Sequence, residues 1–175
     1  MENKNQVLRD RLINLLSEWE TIGKPTRTGF QSAAEEIIRW KKKNRISGLW
    51  EIPPLLVTAT IDDGWGHGLQ VIHLWAKVMG LKVHALGLLV KPEEIIRKCL
   101  RLPPDFLGMT VLQFDTEDDL ILITGNLPSK TRVIVGGPVF SADPELADRT
   151  GVHFVAKNAA DFISFMLKFE PLIQQ

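Results

Sequence analysis

Residues 55–87 read LLVTATIDDGWGHGLQVIHLWAKVMGLKVHALG, and this segment carries the pattern from which the fold class follows. It opens with an apolar, β-branched run over Leu55–Ile61, which predicts a strand that is buried on both faces. A glycine-rich loop follows, and Gly68–Met79 then has the apolar spacing of a helix. Leu81–Leu86 predicts a second strand. A strand, a helix and a second strand in this order indicate a parallel β-α-β unit.

The same alternation continues toward the carboxyl end of the sequence. Further helices are predicted over Pro92–Leu100, Glu117–Thr124, Asp143–Arg149 and Ala159–Phe169. Further strands are predicted over Phe106–Leu112, Arg132–Val135 and Val152–Ala156. Five strands separated by helices predict a parallel sheet that is covered on both faces. Right-handed crossovers then favour an open, doubly wound α/β sheet.

Residues 1–52 have a different pattern. Apolar residues from Val7 to Trp19 recur at helical spacing, and Ser32–Lys43 predicts a second helix. Two helices cannot bury their apolar faces alone, so we expect them to pack on the rest of the chain or on a partner. The sequence therefore predicts a short helical region over residues 1–52 and one α/β domain over residues 53–175.

Composition and charge exclude several classes of function. The chain has 175 residues with 21 basic and 21 acidic side chains, so the broad basic patch of a nucleic-acid binder is not expected. Cys99 is the single cysteine, which excludes a disulfide framework and a cysteine zinc site. No apolar run reaches the ~18 residues of a membrane span, and no signal peptide is predicted. We therefore expect a cytoplasmic protein with neither a nucleic acid nor a membrane as partner.

The binding site is expected where the predicted strands end, because open parallel sheets bind ligands outside the carboxyl ends of their strands. The segments that follow the five strands are 62–68, 87–92, 110–114, 136–140 and 157–158. Glycines concentrate in these segments, and glycine allows the backbone to approach a ligand closely.

Two other kinds of site fit this edge poorly. Residues 64–68 contain three glycines, but the G-x-G-x-x-G motif of dinucleotide sites needs a glycine where Leu69 stands. Asp62, Asp63 and Lys157 would suit a phosphorylated receiver domain with bound magnesium. However, no aspartate ends the third predicted strand to accept the phosphate.

A third interpretation rests on several motifs in order. The first loop, Asp63-Gly64-Trp65-Gly66-His67-Gly68, resembles the D-x-H-x-x-G motif of the cobalamin-binding domains of corrinoid methyltransferases and mutases. Other elements resemble that family at matching positions, namely Val90-Lys91-Pro92 before a helix, Thr110-Val111-Leu112 for its S-x-L, Gly136-Gly137-Pro138 for its glycine pair, and residues 155–160 for its last turn. The resemblance covers residues 55–168. It implies a flavodoxin-like fold that binds cobalamin, a cobalt corrinoid.

The resemblance also implies which residues contact the cofactor. They are Asp63, Gly64, Trp65, Gly66, His67, Gly68, Val90, Thr110, Val111, Leu112, Gly136, Gly137, Pro138, Phe140, Ala156 and Asn158. In the family, the hydroxyl of the S-x-L serine bonds the benzimidazole of the nucleotide tail, and Thr110 keeps a hydroxyl there. The family's glycine pair lets the tail pass close to the backbone, and Gly136 and Gly137 keep that feature.

One departure from the family concerns the lower ligand of cobalt. Trp65 stands where the family has the histidine that ligates cobalt, and an indole ring has no free lone pair for a metal. His67 would be a cobalt ligand only if the loop were rebuilt. Asp63, which holds that histidine in the family, would here bond the indole N–H or loop amides, or cap the next helix. We therefore predict that cobalamin binds without a metal ligand from the protein.

The implied function is to carry a corrinoid for a partner methyltransferase, as a cofactor-carrying subunit in which residues 1–52 are a truncated form of the family's helical cap. A second hypothesis is a regulatory protein that senses a tetrapyrrole, either cobalamin or haem, and changes its affinity for a partner. A relic of the fold that binds nothing is a third. The oligomeric state stays open, with a homodimer as one alternative.

Overall fold

The computed structural model describes residues 4–62 and 67–170. Five strands form one all-parallel sheet in the order β2-β1-β3-β4-β5, with flanking helices. The strands are β1 (Leu55–Thr60), β2 (Lys82–Gly87), β3 (Phe106–Thr110), β4 (Arg132–Gly136) and β5 (Phe154–Val155). The predicted doubly wound α/β architecture is confirmed, and this strand order is that of flavodoxin-like folds.

Eight α-helices lie within the described residues. They are α1 (Lys4–Ile22), α2 (Arg27–Asn44), α3 (His67–Met79), α4 (Pro92–Arg101), α5 (Glu117–Thr124), α6 (Val139–Ala142), α7 (Leu146–Arg149) and α8 (Ala159–Leu167). Most predicted elements occur within a few residues of their predicted bounds. The largest shift at a helix start is in α2, which begins at Arg27 rather than at Ser32. The earlier start follows from Thr26, whose side chain accepts the N–H of Gly29 and caps the helix.

The segment after β4 differs from its prediction. The sequence predicts one helix over Asp143–Arg149, but the structure has the two short helices α6 and α7. Asp143 lies between them with φ −129° and ψ 87°, which is not helical. It precedes Pro144, and the residue before a proline avoids the helical conformation. Strand β5 is also shorter than predicted, with pairs to β4 at only Phe154 and Val155 in the described ladder.

One compact unit consists of residues 55–62, 67–70 and 83–157 and is built on the sheet. Paired residues of a parallel ladder share a face, and Val57, Leu107 and Val133 form one such row. This face belongs to an apolar core with fully buried residues of α4 and α5. Those residues are Ile95, Cys99, Leu120 and Ile123. The core holds the carboxyl ends of the central strands in fixed register.

The other compact unit consists of residues 4–54, 71–82 and 158–170 and is helical. The ring of Trp19 packs edge-on against Phe30, with centroids 5.1 Å apart, and against Trp75, with centroids 5.7 Å apart. Trp75 is fully buried, so the N-terminal helices bury an apolar residue of α3. The domain boundary predicted between residues 52 and 53 stays a prediction.

Side chains from the N-terminal segment bond the carboxyl end of α8 within the same unit. Arg9 donates to the carbonyl of Leu167 at 2.5 Å, and the indole N–H of Trp50 donates to the carbonyl of Phe169 at 3.2 Å. The last carbonyls of a helix lack partners within the helix, so these contacts satisfy groups that would otherwise need water. Residues 4–54 thus supply hydrogen bonds as well as apolar contacts to this unit.

Lys41 makes a similar contact with α3, and it gives the stability of the protein a pH dependence. Its buried Nζ donates to the carbonyls of Lys77 at 3.0 Å and Val78 at 2.5 Å. Burial, assisted by the charge of Lys77, lowers the pKa of Lys41 from 10.5 to about 8. Between about pH 8 and pH 10.5, the Lys41 side chain is therefore protonated in the unfolded chain but largely deprotonated in the folded chain. Folding is therefore penalised below pH 8 and gains stability as the pH rises to 10.5.

We expect Lys41→Met to remove this contribution. The unfolding free energy of the wild type, relative to that of the variant, should rise by about 3 kcal/mol between pH 7.5 and pH 10.5. Urea unfolding at both pH values measures the difference, and taking it relative to Lys41→Met cancels the titration of other groups, including Cys99. Equal pH slopes for the two proteins would contradict the assignment.

Candidate functional site

The three central strands end side by side at the carboxyl edge of the sheet. Thr60 pairs with Thr110, and Thr110 pairs with Gly136. Because paired residues share a face, two hydroxyl groups and a glycine form one row there. Thr58, Gly108 and Ile134 form the preceding row on the same face. Apart from Ile134, the side chains of these two rows are small, and Thr110 offers a half-buried hydroxyl group, as a narrow binding slot requires.

Thr60 fixes the turn that follows β2. Its buried hydroxyl donates to the carbonyl of Asp62 and accepts the N–H of Leu89, both at 3.2 Å. Its carbonyl accepts the N–H of Val90 at 2.8 Å. Leu89 has φ 54°, a left-handed conformation that is unusual for residues other than glycine. By accepting the N–H groups of Leu89 and Val90, Thr60 at the end of β1 holds the strained turn that follows β2.

Asp62 fixes the segment that follows β3. It is 3% exposed, and its Oδ2 accepts the N–H groups of Leu112 at 2.6 Å and Gln113 at 3.2 Å. The sequence suggested only a magnesium ligand at Asp62, in the disfavoured receiver interpretation. The contact depends on β1 lying beside β3, and no local pattern marks a residue whose partners are 50 positions away.

Gly68 and Thr110 come from different predicted motifs, and the structure brings them together. Gly68 is exposed in the first turn of α3, and Thr110 is half-buried at the end of β3. A Cβ atom at Gly68 would lie 3.3 Å from Oγ1 of Thr110. The hydroxyl group of the S-x-L position thus lies directly against the start of the helix that follows the first loop.

The glycine pair is required by the protein's own packing. Gly137 has φ +126°, and a Cβ atom there would lie 1.9 Å from the carbonyl oxygen of Val111. A Cβ atom at Gly136 would lie 3.0 Å from the carbonyl oxygen of Ala156. The sequence interpretation attributed the pair to the passage of a ligand. The structure gives Gly137 a sufficient reason that needs no ligand, since the backbone after β3 fills the space of a side chain.

The remaining predicted site residues occupy several environments. The side chains of Val90, Val111 and Phe140 lie in the core cluster, so a ligand would reach these positions through their backbone. Asn158 caps α8, where its side chain accepts the N–H of Asp161 at 3.1 Å. Of the others, His67 and Pro138 are exposed. Leu112 is half-buried, and Ala156 is buried. Asp63, Gly64, Trp65 and Gly66 lie outside the described residues.

Three exposed apolar residues lie in the segments that the sequence placed at this edge, although sequence reasoning did not select them as site residues. Leu88 is 50% exposed, Leu89 is 64% exposed and Phe114 is 67% exposed. They follow β2 and β3, where large apolar side chains are costly to leave in water. Their exposure suits contact with an apolar ligand or partner. Exposure depends on the folded chain, so the sequence alone gave no signal for it.

Among residues 4–62 and 67–170, no group of three or more His, Cys, Asp or Glu side chains is placed to hold a metal ion. None of the helices in these ranges is both long enough and apolar enough to cross a membrane.

Comparisons with known proteins identify one curated relative. No family model matches the sequence. The chain is 26% identical over 160 residues to the HTH-type transcriptional repressor CarH of Myxococcus xanthus. The matched region covers 85% of this chain and 51% of the repressor. The chain thus spans about half the length of this curated relative.

Two solved structures share the fold. A cobalamin-binding protein from Desulfitobacterium hafniense superposes with a TM-score of 0.78 at 20% identity, over 95% of this chain and 82% of that one. The monomethylamine corrinoid protein of Methanosarcina barkeri superposes with a TM-score of 0.60 at 17% identity, over 80% of this chain and 65% of that one. The chain therefore has the fold of cobalamin-binding proteins.

Proposed function

We propose that this chain binds cobalamin at the carboxyl edge of its sheet and carries it for a methyl-transfer system. The contact between Gly68 and Thr110 is the observation that carries the proposal. These two motif positions lie far apart in sequence but against each other in a fold found in cobalamin-binding proteins. Closeness of Gly68, the last residue of the first motif, to Thr110 of the S-x-L segment is what a shared cofactor site requires.

The described residues fit the chemistry of cobalamin. A nucleotide tail needs a narrow slot with a hydrogen-bonding group, and Gly108, Thr110 and Gly136 supply small side chains and one half-buried hydroxyl group on one face. The corrin ring is broad and largely apolar, and the exposed leucines after β2 suit its edge. The Thr110 hydroxyl would hold the tail by a hydrogen bond, while the strand ends fix its position.

The chain's part is to bind and orient the cofactor. Bound cobalamin would supply cobalt as the atom that accepts and passes on a methyl group. Trp65 would leave the lower face of the ring without an imidazole ligand, since its indole offers a donor N–H and no lone pair. A partner methyltransferase would supply the residues that act on the methyl donor.

A regulatory role is the second candidate, and the match to CarH favours it. That relative is a transcriptional repressor by name, at 26% identity over 160 residues. In this role the chain would sense a tetrapyrrole, either cobalamin or haem, and change its affinity for a regulatory partner. The absence of a nucleic-acid partner remains a prediction for this chain.

The proposal is tested by adding hydroxocobalamin to the purified chain and following its visible spectrum during titration and gel filtration. We expect cobalamin to remain with the protein, and haemin serves as the competing tetrapyrrole. Thr110→Val should weaken cobalamin binding about tenfold, because it removes the hydroxyl group and preserves the side-chain shape. Failure of the wild type to retain cobalamin would contradict the proposal.

Thr131→Val is the matched control for that variant. Thr131 is buried at the opposite end of the sheet, where its hydroxyl donates to the carbonyl of Pro104 at 2.8 Å. Loss of the Thr131 hydroxyl group should lower the free energy of unfolding and leave the affinity for cobalamin unchanged. Reduction with titanium(III) citrate followed by methyl iodide then separates the two candidate roles. In a carrier, the bound cofactor should reach cob(I)alamin, displace iodide and take up the methyl group. A bound cofactor that stays at cob(II)alamin with this reductant would favour the regulatory role.

A further inference from the structure

We infer that Asp62 is a positioning residue that sets the geometry of the slot for the nucleotide tail. The inference rests on the proposed cobalamin site. Asp62 is 3% exposed, and its carboxylate accepts the N–H groups of Leu112 and Gln113. A buried carboxylate is costly unless hydrogen bonds compensate it. These two bonds join the end of β1 to the segment that leaves β3.

The carboxylate extends the hydrogen bonding of the sheet beyond the end of β1. The β1–β3 ladder ends at the pair Thr60–Thr110. The next amide, that of Val111, donates to the carbonyl of Gly136 on the other side at 2.9 Å. The following two amides donate to Asp62. Three successive N–H groups are thus fixed directly after Thr110, the residue whose hydroxyl is proposed to bond the tail.

The position of Thr110 therefore depends on contacts from both of its neighbouring strands. On the β4 side, the backbone of Val111 fills the space beside Gly137. On the β1 side, Oδ2 of Asp62 accepts the N–H of Leu112 at 2.6 Å. Loss of the carboxylate would release one side only, so the segment after Thr110 would shift and the hydroxyl would lose its fixed direction. Asp62 would thus act through the backbone and need no contact with the cofactor.

Asp105 makes an equivalent contact at the other end of the same two strands. Its Oδ2 accepts the N–H of Leu55 at 2.8 Å, and Oδ1 lies 3.4 Å from Nζ of Lys130. Each aspartate thus joins β1 to the chain around β3 through a backbone amide. Only the contact of Asp62 adjoins the proposed site. Asp105→Asn is therefore a matched control for the structural part of the effect.

The test uses the full chain with two ligands, cobalamin and cobinamide, a corrinoid without the nucleotide tail. We expect Asp62→Asn, which turns two charge-assisted hydrogen bonds into weaker neutral ones, to raise the Kd for cobalamin about tenfold. The Kd for cobinamide should stay within about twofold, since cobinamide does not enter the tail slot. Asp105→Asn should lower the unfolding midpoint and change neither Kd by more than about twofold.

Three outcomes would overturn the inference. Asp62→Asn could weaken both ligands equally, which indicates a general structural role. It could bind cobalamin as tightly as Asp105→Asn does, which indicates no role in the slot. A wild type that binds cobinamide and cobalamin with equal Kd has no working tail slot.

If Asp62→Asn does not fold, Asp62→Glu, which keeps the charge but displaces it, must show the same selective loss. Failure of the wild type to bind either corrinoid would instead reject the proposed function.

Discussion

Gly137→Ala is expected to lower the free energy of unfolding by about 4 kcal/mol, measured by urea denaturation. Two effects combine at this position. The backbone of Gly137 has φ +126°, a conformation that residues with a side chain rarely adopt. The added methyl carbon would also lie 1.9 Å from the carbonyl oxygen of Val111, so β4 and the segment after β3 would have to separate.

Gly87→Ala is the matched control, because it isolates the backbone strain. Gly87 has φ +106°, but a Cβ atom there would meet nothing within 4 Å. We expect that variant to lose about 1–2 kcal/mol. Equal losses for the two variants would contradict the close approach at Gly137. A large loss at Gly137 would also mean that weaker cobalamin binding by its variants reports disrupted packing rather than a blocked tail slot.

The strand and helix order was predictable because each element carries its own local pattern. Apolar runs of strand length alternate with segments of helical spacing, and that order alone implies parallel strands with crossovers. Helix α5 begins at Glu117 and ends at Thr124 as predicted. Its bounds are marked locally by three acidic residues in the first turn and by Gly125 after the last. The prediction of one helix over Asp143–Arg149 failed because Asp143, which precedes Pro144, is not helical and separates α6 from α7.

The contacts that shape the candidate site were not predictable, because they join distant segments. Asp62 and Leu112 are 50 positions apart, and their bond exists only because β1 lies beside β3. The space at Gly137 is filled by Val111, which requires the register of β3 and β4. The sequence located the edge where binding is proposed. It did not show which glycines and carboxylates the fold itself needs there.

The N-terminal region shows the same limit. Its two helices were predicted from their spacing, together with the need for a surface to cover. The structure shows contacts of Trp19 with Trp75 and of Lys41 with the end of α3. A sequence pattern shows that an apolar face must be covered, but the identity of the covering surface follows only from the tertiary structure.

Trp65→His is expected to create a protein ligand to cobalt in the cofactor-bound protein. Residues 63–66 lie outside the described residues. Asp63 and Gly68 keep the spacing of the D-x-H-x-x-G motif, and histidine at position 65 completes it. Asp63 could then accept the second N–H of the imidazole, which orients the ring for ligation. The electron spin resonance spectrum of bound cob(II)alamin should gain nitrogen splitting that isotope-labelled histidine changes.

The same substitution should make the bound cobalamin harder to reduce to cob(I)alamin. Low-valent cobalt disfavours a lower ligand, so an imidazole stabilises the oxidised states and moves the midpoint potential to more negative values. Under the proposed function, Trp65 would therefore ease access to the reduced cofactor that methyl uptake requires. His67→Ala in the wild-type background is the control, since loss of a nitrogen signal there would instead assign ligation to His67. Coinciding midpoint potentials, with no new nitrogen ligand in Trp65→His, would mean that residue 65 does not lie beneath cobalt.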